Sequence, residues 1–251
     1  MHGTRNKLTK LAAGLLLASA PIGAALAADG GDWDWSLAPY LWLPSIGSNV
    51  SVDVPPIDLG GTSQVSEWAP KLGFTIPLHL EGQGDDFGVL SDILYLPLSN
   101  KRSGRLFSTD SSLDTGIFEL AGVWSPGENR HEGFEVLGGL RYIWASLDLK
   151  LKPNNTALPS GKISLDKSYA DFLLGARYIA RLSERWSLTL RGDGSFGSTD
   201  NTYGASGVFQ YATSNGAWEF GYRYMKLKFS DDNSALDLKL YGPEFAYSFR
   251  F

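Results

Sequence analysis

The chain has 251 residues and contains no cysteine, which allows one large domain or two small ones and excludes disulfides, thiolate nucleophiles and cysteine-ligated metals. Its formal net charge is -5 at pH 7, from 22 basic and 27 acidic residues. A chain with this acidic balance is not predicted to bind nucleic acid.

The N-terminus has the features of a secretory signal peptide. The basic residues Arg5, Lys7 and Lys10 precede a short apolar run that ends in Ala-Leu-Ala at 25–27, which predicts cleavage after Ala27. A membrane anchor is the alternative, but the apolar run is short and contains a proline and a glycine. Loss of the three basic residues leaves 19 basic against 27 acidic residues, a net charge of -8. Residues 28–251 are then predicted to form one domain.

Alternation with a period of two residues dominates the mature chain and predicts β-strands. Residues 168–182 are an example, since their even positions are almost all apolar and their odd positions include Asp171, Gly175, Arg177 and Arg181. Ten strands are predicted in chain order, at about 33–54, 74–82, 86–98, 107–125, 133–151, 162–182, 186–197, 204–213, 217–229 and 236–251.

Short turn-rich links alternate with longer polar links between these strands. The longest link is 55–73, which is predicted to cap the barrel, fold inward as a plug or lie on the surface. Within it, residues 65–73 match a short helix that begins at Ser66 and ends at Gly73.

The distribution of aromatic residues and charges decides which face of the strands is inside. An ordinary β-sandwich also alternates, with its apolar face inward. Here the apolar face is rich in aromatic residues near the strand ends, and the opposite face carries Gly, Ala, Ser, Arg, Asp and Glu with few lysines. This pattern is typical of a transmembrane barrel with lipid outside and a polar interior. We therefore predict an all-β, antiparallel up-and-down transmembrane β-barrel of about ten strands, with eight or twelve as alternatives.

The C-terminal strand carries a family resemblance. Phe245, Tyr247, Phe249 and the terminal Phe251 alternate along "EFAYSFRF" and resemble the last strand of Gram-negative outer-membrane barrels. The segments "WSLAPYLWLP", "SDILYLPLS" and "LSERWSLTLRGD" make the whole mature chain similar to small outer-membrane β-barrel proteins. The resemblance implies an outer-membrane location with both termini in the periplasm. It also implies two partners, outer-membrane lipid and the barrel-assembly machinery, the latter reached through these four aromatic residues.

Three near-repeats, G-x-R-Y at Gly139, Gly175 and Gly221, predict a construction rule. The glycine keeps the inner wall thin, the arginine enters the lumen and the tyrosine faces lipid. Two-residue loops at Gly84–Asp85, Asn215–Gly216 and Asn233–Ser234 are used to set the hairpin registers. Counting from the short-turn end then predicts a charge belt near mid-height, made of Asp92, Glu119, Arg141, Arg177, Arg191, Arg223 and Glu244.

The charge belt has two interpretations. One is an interlocked ion-pair network that fills the barrel, and the other is a charged constriction that selects anionic solutes. A barrel of about ten strands is close to the size that its own side chains fill, which favours the network. The predicted function is thus a structural barrel or a narrow solute passage.

Enzyme and receptor functions are the alternatives. His79 and Glu81 form a candidate lumen histidine site, and His131 lies in a turn. A His79–Asp92 pair is chemically suited to activate a serine or water, but its predicted position inside the barrel does not fit a lipid- or peptide-processing site. No metal-ligand spacing, cofactor motif or nucleophile elbow is found, so neither a metal nor a cofactor is predicted. The long 55–73 link is the candidate surface for a receptor or adhesin. The sequence does not indicate an oligomeric state.

Overall fold

The protein is described by a computed structural model that covers residues 33–52, 69–70, 77–103, 107–127, 132–154, 160–231 and 234–251. It is a closed antiparallel β-barrel of ten strands. Two of the barrel strands consist of two segments each, so twelve segments are numbered: β1 (Asp34–Trp42), β2 (Ser45–Val52), β3 (Ala69–Pro70), β4 (Leu78–Gln83), β5 (Phe87–Ser103), β6 (Phe107–Trp124), β7 (Gly133–Pro153), β8 (Gly161–Arg181), β9 (Trp186–Gly197), β10 (Thr202–Ala212), β11 (Gly216–Asp231) and β12 (Ser234–Arg250).

Each strand pairs with the next along the chain, and β12 closes the barrel against both β1 and β2. The register is continuous across the break between β1 and β2, since Trp42 lies opposite Glu244 and Ser45 lies opposite Tyr241. Pro44 interrupts the first strand because proline has no backbone N–H to donate. In the second strand, β3 and β4 both pair with β5.

The number of strands confirms the predicted ten and removes the alternatives of eight and twelve. The predicted helix at 65–73 is wrong at Ala69–Pro70, which pair with Ser99 and Leu98 of β5. Backbone pairing with a neighbouring strand outweighed a weak local helix pattern. The predicted signal peptide at 1–27, most of the 55–73 link and His131 lie outside the described residues. Among the described residues, no helix is long and apolar enough to cross a membrane.

Three predicted hairpin registers are wrong by two residues. The two-residue turns lie one position away from where they were predicted, as the Gly84 N to Phe87 O and Thr213 N to Gly216 O hydrogen bonds of 2.8 Å show. A shift of two residues keeps every side chain on its predicted face because the side-chain period in a strand is two. The observed partners are Leu90 rather than Gly88 for Glu81, Gly221 rather than Arg223 for Val208, and Gly242 rather than Glu244 for Arg223.

The outer wall carries a broad apolar band near the short-turn end of the barrel. The exposed side chains include Phe118 on β6, Tyr142 on β7, Phe172 on β8 and Trp218 on β11. The predicted outward aromatic face is therefore present. On the inner wall of the same strands lie the charged residues described below.

The polarity of the wall reverses toward the long-connection end. There the inner face is apolar, and the outer face carries residues such as Ser112, Asp148, Lys226 and Lys239. We call the inner cluster the upper apolar layer; it consists of Tyr40, Trp42, Leu94, Leu96, Ile117, Ile143, Met225, Leu227, Phe229, Leu238 and Leu240, all at most 7% exposed. This reversal was not predicted from the sequence.

The wall is also uneven in height. Strands β7 and β8 have 21 residues each, whereas β9 and β10 have 12 and 11. At about 3.3 Å per residue and a tilt of about 40°, the tall strands span about 50 Å and the short ones about 28 Å. An apolar band of about 25 Å is enough to cross an outer membrane. The short strands match that height, and the tall strands extend well past it.

Candidate functional site

The predicted charge belt occupies two register rows on the inner wall, where a row means residues directly opposite one another on successive strands. The first row, on β4 to β8, is His79, Asp92, Glu119, Arg141 and Asp171. The second row, on β7 to β11, is Glu135, Arg177, Arg191, Ser206 and Arg223. Of the predicted belt residues, only Glu244 lies outside both rows. The first row is thus mainly acidic and the second mainly basic.

A closed ring of four ionic side chains connects the two rows. Arg141 binds Glu119 with an N–O distance of 2.7 Å, and Arg191 binds the other oxygen of Glu119 at 2.8 Å. Asp193 completes the ring, because it accepts a hydrogen bond from Arg141 and forms a 2.9 Å ion pair with Nε of Arg191. Since Glu119 is on β6 and Arg191 on β9, this contact passes over two intervening strands and crosses the lumen.

A second chain of contacts crosses the lumen from β8 to β12. Arg177 forms ion pairs with Glu135 on the neighbouring strand and with Glu81 on β4. From Glu81 the chain continues through His79 to Asp92, with N–O distances of 3.3 and 3.2 Å.

The same chain ends at the seam of the barrel. Asp92 accepts a 2.8 Å hydrogen bond from the Tyr40 hydroxyl, which in turn accepts one of 3.1 Å from Arg223. Arg223 forms a 2.9 Å ion pair with Glu244 and lies over the rings of Tyr40 and Trp42, 5.0 and 5.6 Å from their centroids. Every predicted belt residue is therefore in an ion pair, a hydrogen bond or both.

His79 is held by carboxylates on both sides of its ring. Nδ1 faces Asp92 and Nε2 faces Glu81. Only the protonated imidazolium donates from both nitrogens, so the geometry favours a charged His79 that bridges the two acids. Neither ring nitrogen is left to accept a proton from a hydroxyl or water, and a general-base role requires such a nitrogen.

The charges in this region do not balance. The arginines are Arg141, Arg177, Arg191 and Arg223, and His79 adds a fifth cation. The inward carboxylates are Glu81, Asp92, Glu119, Glu135, Asp171, Asp193, Glu219 and Glu244. Because the acids outnumber the cations, the electrostatics favour cations over anions. The predicted selection of anionic solutes is not supported.

Apolar groups lie inside the barrel on both sides of the first row. Toward the short-turn end lies a cluster of Leu90, Ala121, Val123, Leu137 and Leu173. Toward the long-connection end lies the upper apolar layer, where the Tyr169 and Phe229 rings meet at 4.7 Å although β8 and β11 are not neighbours in the sheet. Between the charged rows there is a space of about 20 Å³, bordered by Asp92, Glu119, Arg191 and Arg223. That is about enough for one water molecule.

The sequence missed Tyr40, Ser195 and Thr199 as members of the network. Asp171 accepts hydrogen bonds from the Ser195 hydroxyl at 3.0 Å and from the Thr199 backbone N–H at 3.0 Å. Thr199 lies in the loop between β9 and β10, so no alternation pattern predicts its direction. Tyr40 lies on the same strand face as the buried Trp42. The alternation of side chains in "WSLAPYLWLP" was sufficient to predict this.

The C-terminal aromatic residues lie on the outer wall. Phe245, Phe249 and Phe251 are 44, 49 and 72% exposed. Tyr247 packs edge-on against Phe249, with ring centroids 4.8 Å apart. Phe251 exchanges backbone hydrogen bonds of 3.0 and 3.1 Å with Trp35, so the last residue helps to close the barrel.

Comparisons with known proteins support the fold and do not assign a family. No protein-family model matches the chain, and no curated protein matches it. The outer-membrane protease OmpT from Escherichia coli matches with a TM-score of 0.57 at 10% identity, over 88% of this chain and 98% of OmpT. OprG from Pseudomonas aeruginosa has a TM-score of 0.36 at 16% identity, over 87% of this chain and 97% of OprG. The match to OmpT shows that the chain shares the fold of an outer-membrane β-barrel.

Proposed function

We propose that this chain is an integral outer-membrane β-barrel whose lumen is closed at rest, so that it serves as a structural, membrane-spanning barrel rather than an open porin. The observation that carries the proposal is the sequence of layers across the lumen. Ion pairs cross it between β6 and β9 and between β4 and β8, and the upper apolar layer fills it beyond them.

A closed lumen fits the physics of a ten-stranded barrel. Barrels of about eight strands are filled by their own side chains, and water-filled channels need about sixteen. Moving a solute through this lumen requires several ion pairs to be broken in a low-dielectric interior, which costs several kcal/mol for each unpaired charge.

Conductance in planar lipid bilayers tests the closed state. We expect no current above background for the purified protein in symmetric salt. Steady unit conductance would contradict the proposal and favour the second candidate, a narrow passage. The excess of inward carboxylates then predicts a reversal potential in a salt gradient that indicates cation selectivity.

The proposal includes a cleaved signal peptide at 1–27, both termini in the periplasm and assembly through the C-terminal strand. Because the chain has no cysteine, single cysteines report orientation without background. In intact cells we expect Asn154→Cys, at the long-connection end, to react with a membrane-impermeant maleimide and Asn215→Cys, in a short turn, to be protected. The reverse pattern would overturn the orientation.

The structure gives no support for assigning the protease activity of OmpT to this chain. The only histidine in the described part of the chain is His79, which lies inside the barrel with both ring nitrogens against carboxylates. The described residues also contain no group of three or more His, Asp or Glu side chains arranged to hold a metal ion.

A further inference from the structure

A pair of lysines faces outward where the apolar band ends on β11 and β12. Lys226 and Lys239 are directly opposite each other, and both point away from the lumen because Met225, Leu227 and Leu240 of the same strands are buried inside. Directly opposed residues on one face have Cβ atoms about 5 Å apart, so two like charges there repel each other.

The wall just below the lysines is aromatic. Tyr224 and Tyr241 form the next outward pair toward the short-turn end and are 36 and 41% exposed. Tyr203 lies beside Lys226 on β10, and Gly47 lies beside Lys239 on β2. The small Gly47 leaves room next to Lys239. The surface therefore combines positive charge at the edge of the band with a ring-lined apolar wall below it.

Among the described residues, the acids beside this group are fewer than its lysines. Lys228 lies one step farther out on the same face, and Asp237 is opposite it. Asp200 is also near Lys228, since its backbone N–H donates a 3.1 Å hydrogen bond to the Lys228 carbonyl. In the part of the chain that the structure describes, three lysines thus face two acids. A second opposed lysine pair, Lys150 and Lys162, lies farther along the tall β7–β8 wall. Each lysine of that pair has an acid next to it, since Asp110 is opposite Lys150 and Asp148 is 3.5 Å from Lys162.

We propose that Lys226 and Lys239 bind the phosphate of a lipid in the membrane leaflet at the long-connection end, with its acyl chains against Tyr224 and Tyr241. An anion between two opposed lysines relieves their repulsion, and the aromatic wall requires a ligand that is apolar on the membrane side. A phosphorylated glycolipid such as lipid A has this chemistry. The inference rests on the proposed membrane insertion, because an anionic lipid reaches this height only if the apolar band lies in a bilayer.

The test uses the mature protein inserted into phosphatidylcholine vesicles that contain 10 mol % of either lipid A or a dephosphorylated lipid A. Insertion is measured first, by flotation of the vesicles with the protein. Retention of labelled lipid A on the affinity-purified protein is then measured for the wild type, Lys226→Gln/Lys239→Gln and the matched control Lys150→Gln/Lys162→Gln. Each lysine near an anionic lipid surface contributes about fivefold to binding, so we expect the first double variant to bind about 25-fold more weakly and the control to bind like the wild type.

The outcomes separate the two proposals. Failure to float with the vesicles contradicts the membrane barrel itself. Normal flotation with equal retention by all three proteins, or equal retention of the dephosphorylated lipid, overturns the lysine site. Competition by inorganic phosphate at millimolar concentration, without any preference for lipid A, shows a site for free phosphate and also overturns the lipid assignment.

Discussion

Replacing Arg141 with methionine removes one of the two arginines of the ion-pair ring and keeps a side chain of similar length. Arg141 is 1% exposed, donates to Glu119 at 2.8 Å and is 3.4 Å from the Ser195 hydroxyl. Without it, Glu119 and Asp193 share the single guanidinium of Arg191. Breaking a buried pair by removing one partner costs about 3–5 kcal/mol, since a charge is left without compensation. We expect Arg141→Met to lower the free energy of unfolding by that amount.

The measurement is equilibrium unfolding in urea from lipid vesicles, followed by fluorescence of the eight tryptophans. The matched control is Arg185→Met, in an exposed turn where the arginine donates a 3.2 Å hydrogen bond to Tyr211. A surface substitution of this kind changes stability by about 0.5 kcal/mol or less. A third variant, Arg141→Met with Glu119→Gln, removes the orphaned charge. It should be less destabilised than Arg141→Met alone because the two residues are coupled.

A loss below about 1 kcal/mol for Arg141→Met, in the range of surface ion pairs, would refute the reasoning. It would mean that the carboxylates find other partners or are hydrated in the lumen. A double variant that is less stable than Arg141→Met would contradict the unpaired-charge explanation, even if the size of the first loss agreed.

Three further predictions concern the wall, the apolar layer and the last residue. Gly139→Ala should block folding or strongly destabilise the barrel, because a Cβ there lies 2.0 Å from a carbonyl oxygen of the neighbouring strand, whereas Gly138→Ala meets nothing within 4 Å and should fold normally on a heat-modifiability gel. Leu227→Asn with Leu240→Asn disrupts only the upper apolar layer, so the correctly folded variant should still show no conductance in planar bilayers because the ion pairs also close the lumen; steady conductance would contradict closure by the ion pairs. Deletion of Phe251 should lower the amount of folded barrel in the outer membrane, measured by cell fractionation, and unchanged assembly would contradict its role as part of the assembly signal.

Much of the wall was predictable because one property, alternation, determines it. The three G-x-R-Y repeats illustrate this. The arginines face the lumen, and the exposed fractions of Tyr142, Tyr178 and Tyr224 are 43, 51 and 36%. The glycines are also explained, since a Cβ at Gly139, Gly175 or Gly221 would lie within 3.0 Å of atoms on neighbouring strands. Register errors of two residues preserved all of these assignments.

The contacts within the charge belt were not predictable to the same degree. Arg223 was expected to face Glu244 directly, yet Gly242 is its opposite residue, and the ion pair with Glu244 forms diagonally at 2.9 Å. Arg177 reaches Glu81 across the lumen. Such contacts depend on the curvature and tilt of the closed barrel, and a linear count of residues from the turns does not contain this information.

The reversal of polarity is visible in the sequence of β11. On β11, Tyr222 and Tyr224 alternate with Arg223, whereas in the next residues Lys226 and Lys228 alternate with Leu227. The apolar set changes face without a change in register. A strand that stays in one environment has no reason to do this, so the switch marks the level at which the surroundings of the wall change.

This level explains why the lumen is built in two ways. Where the outer face lies in lipid, turning apolar side chains toward the lumen gains no free energy, because lipid is as apolar as a protein core. There, ion pairs such as Arg141–Glu119 bring opposite walls together. Beyond the band the outer face meets water, so the hydrophobic effect again favours apolar groups inside, and Leu227 and Ile143 are fully buried. The charge belt and the upper apolar layer thus close one lumen by the interaction that is effective at each height.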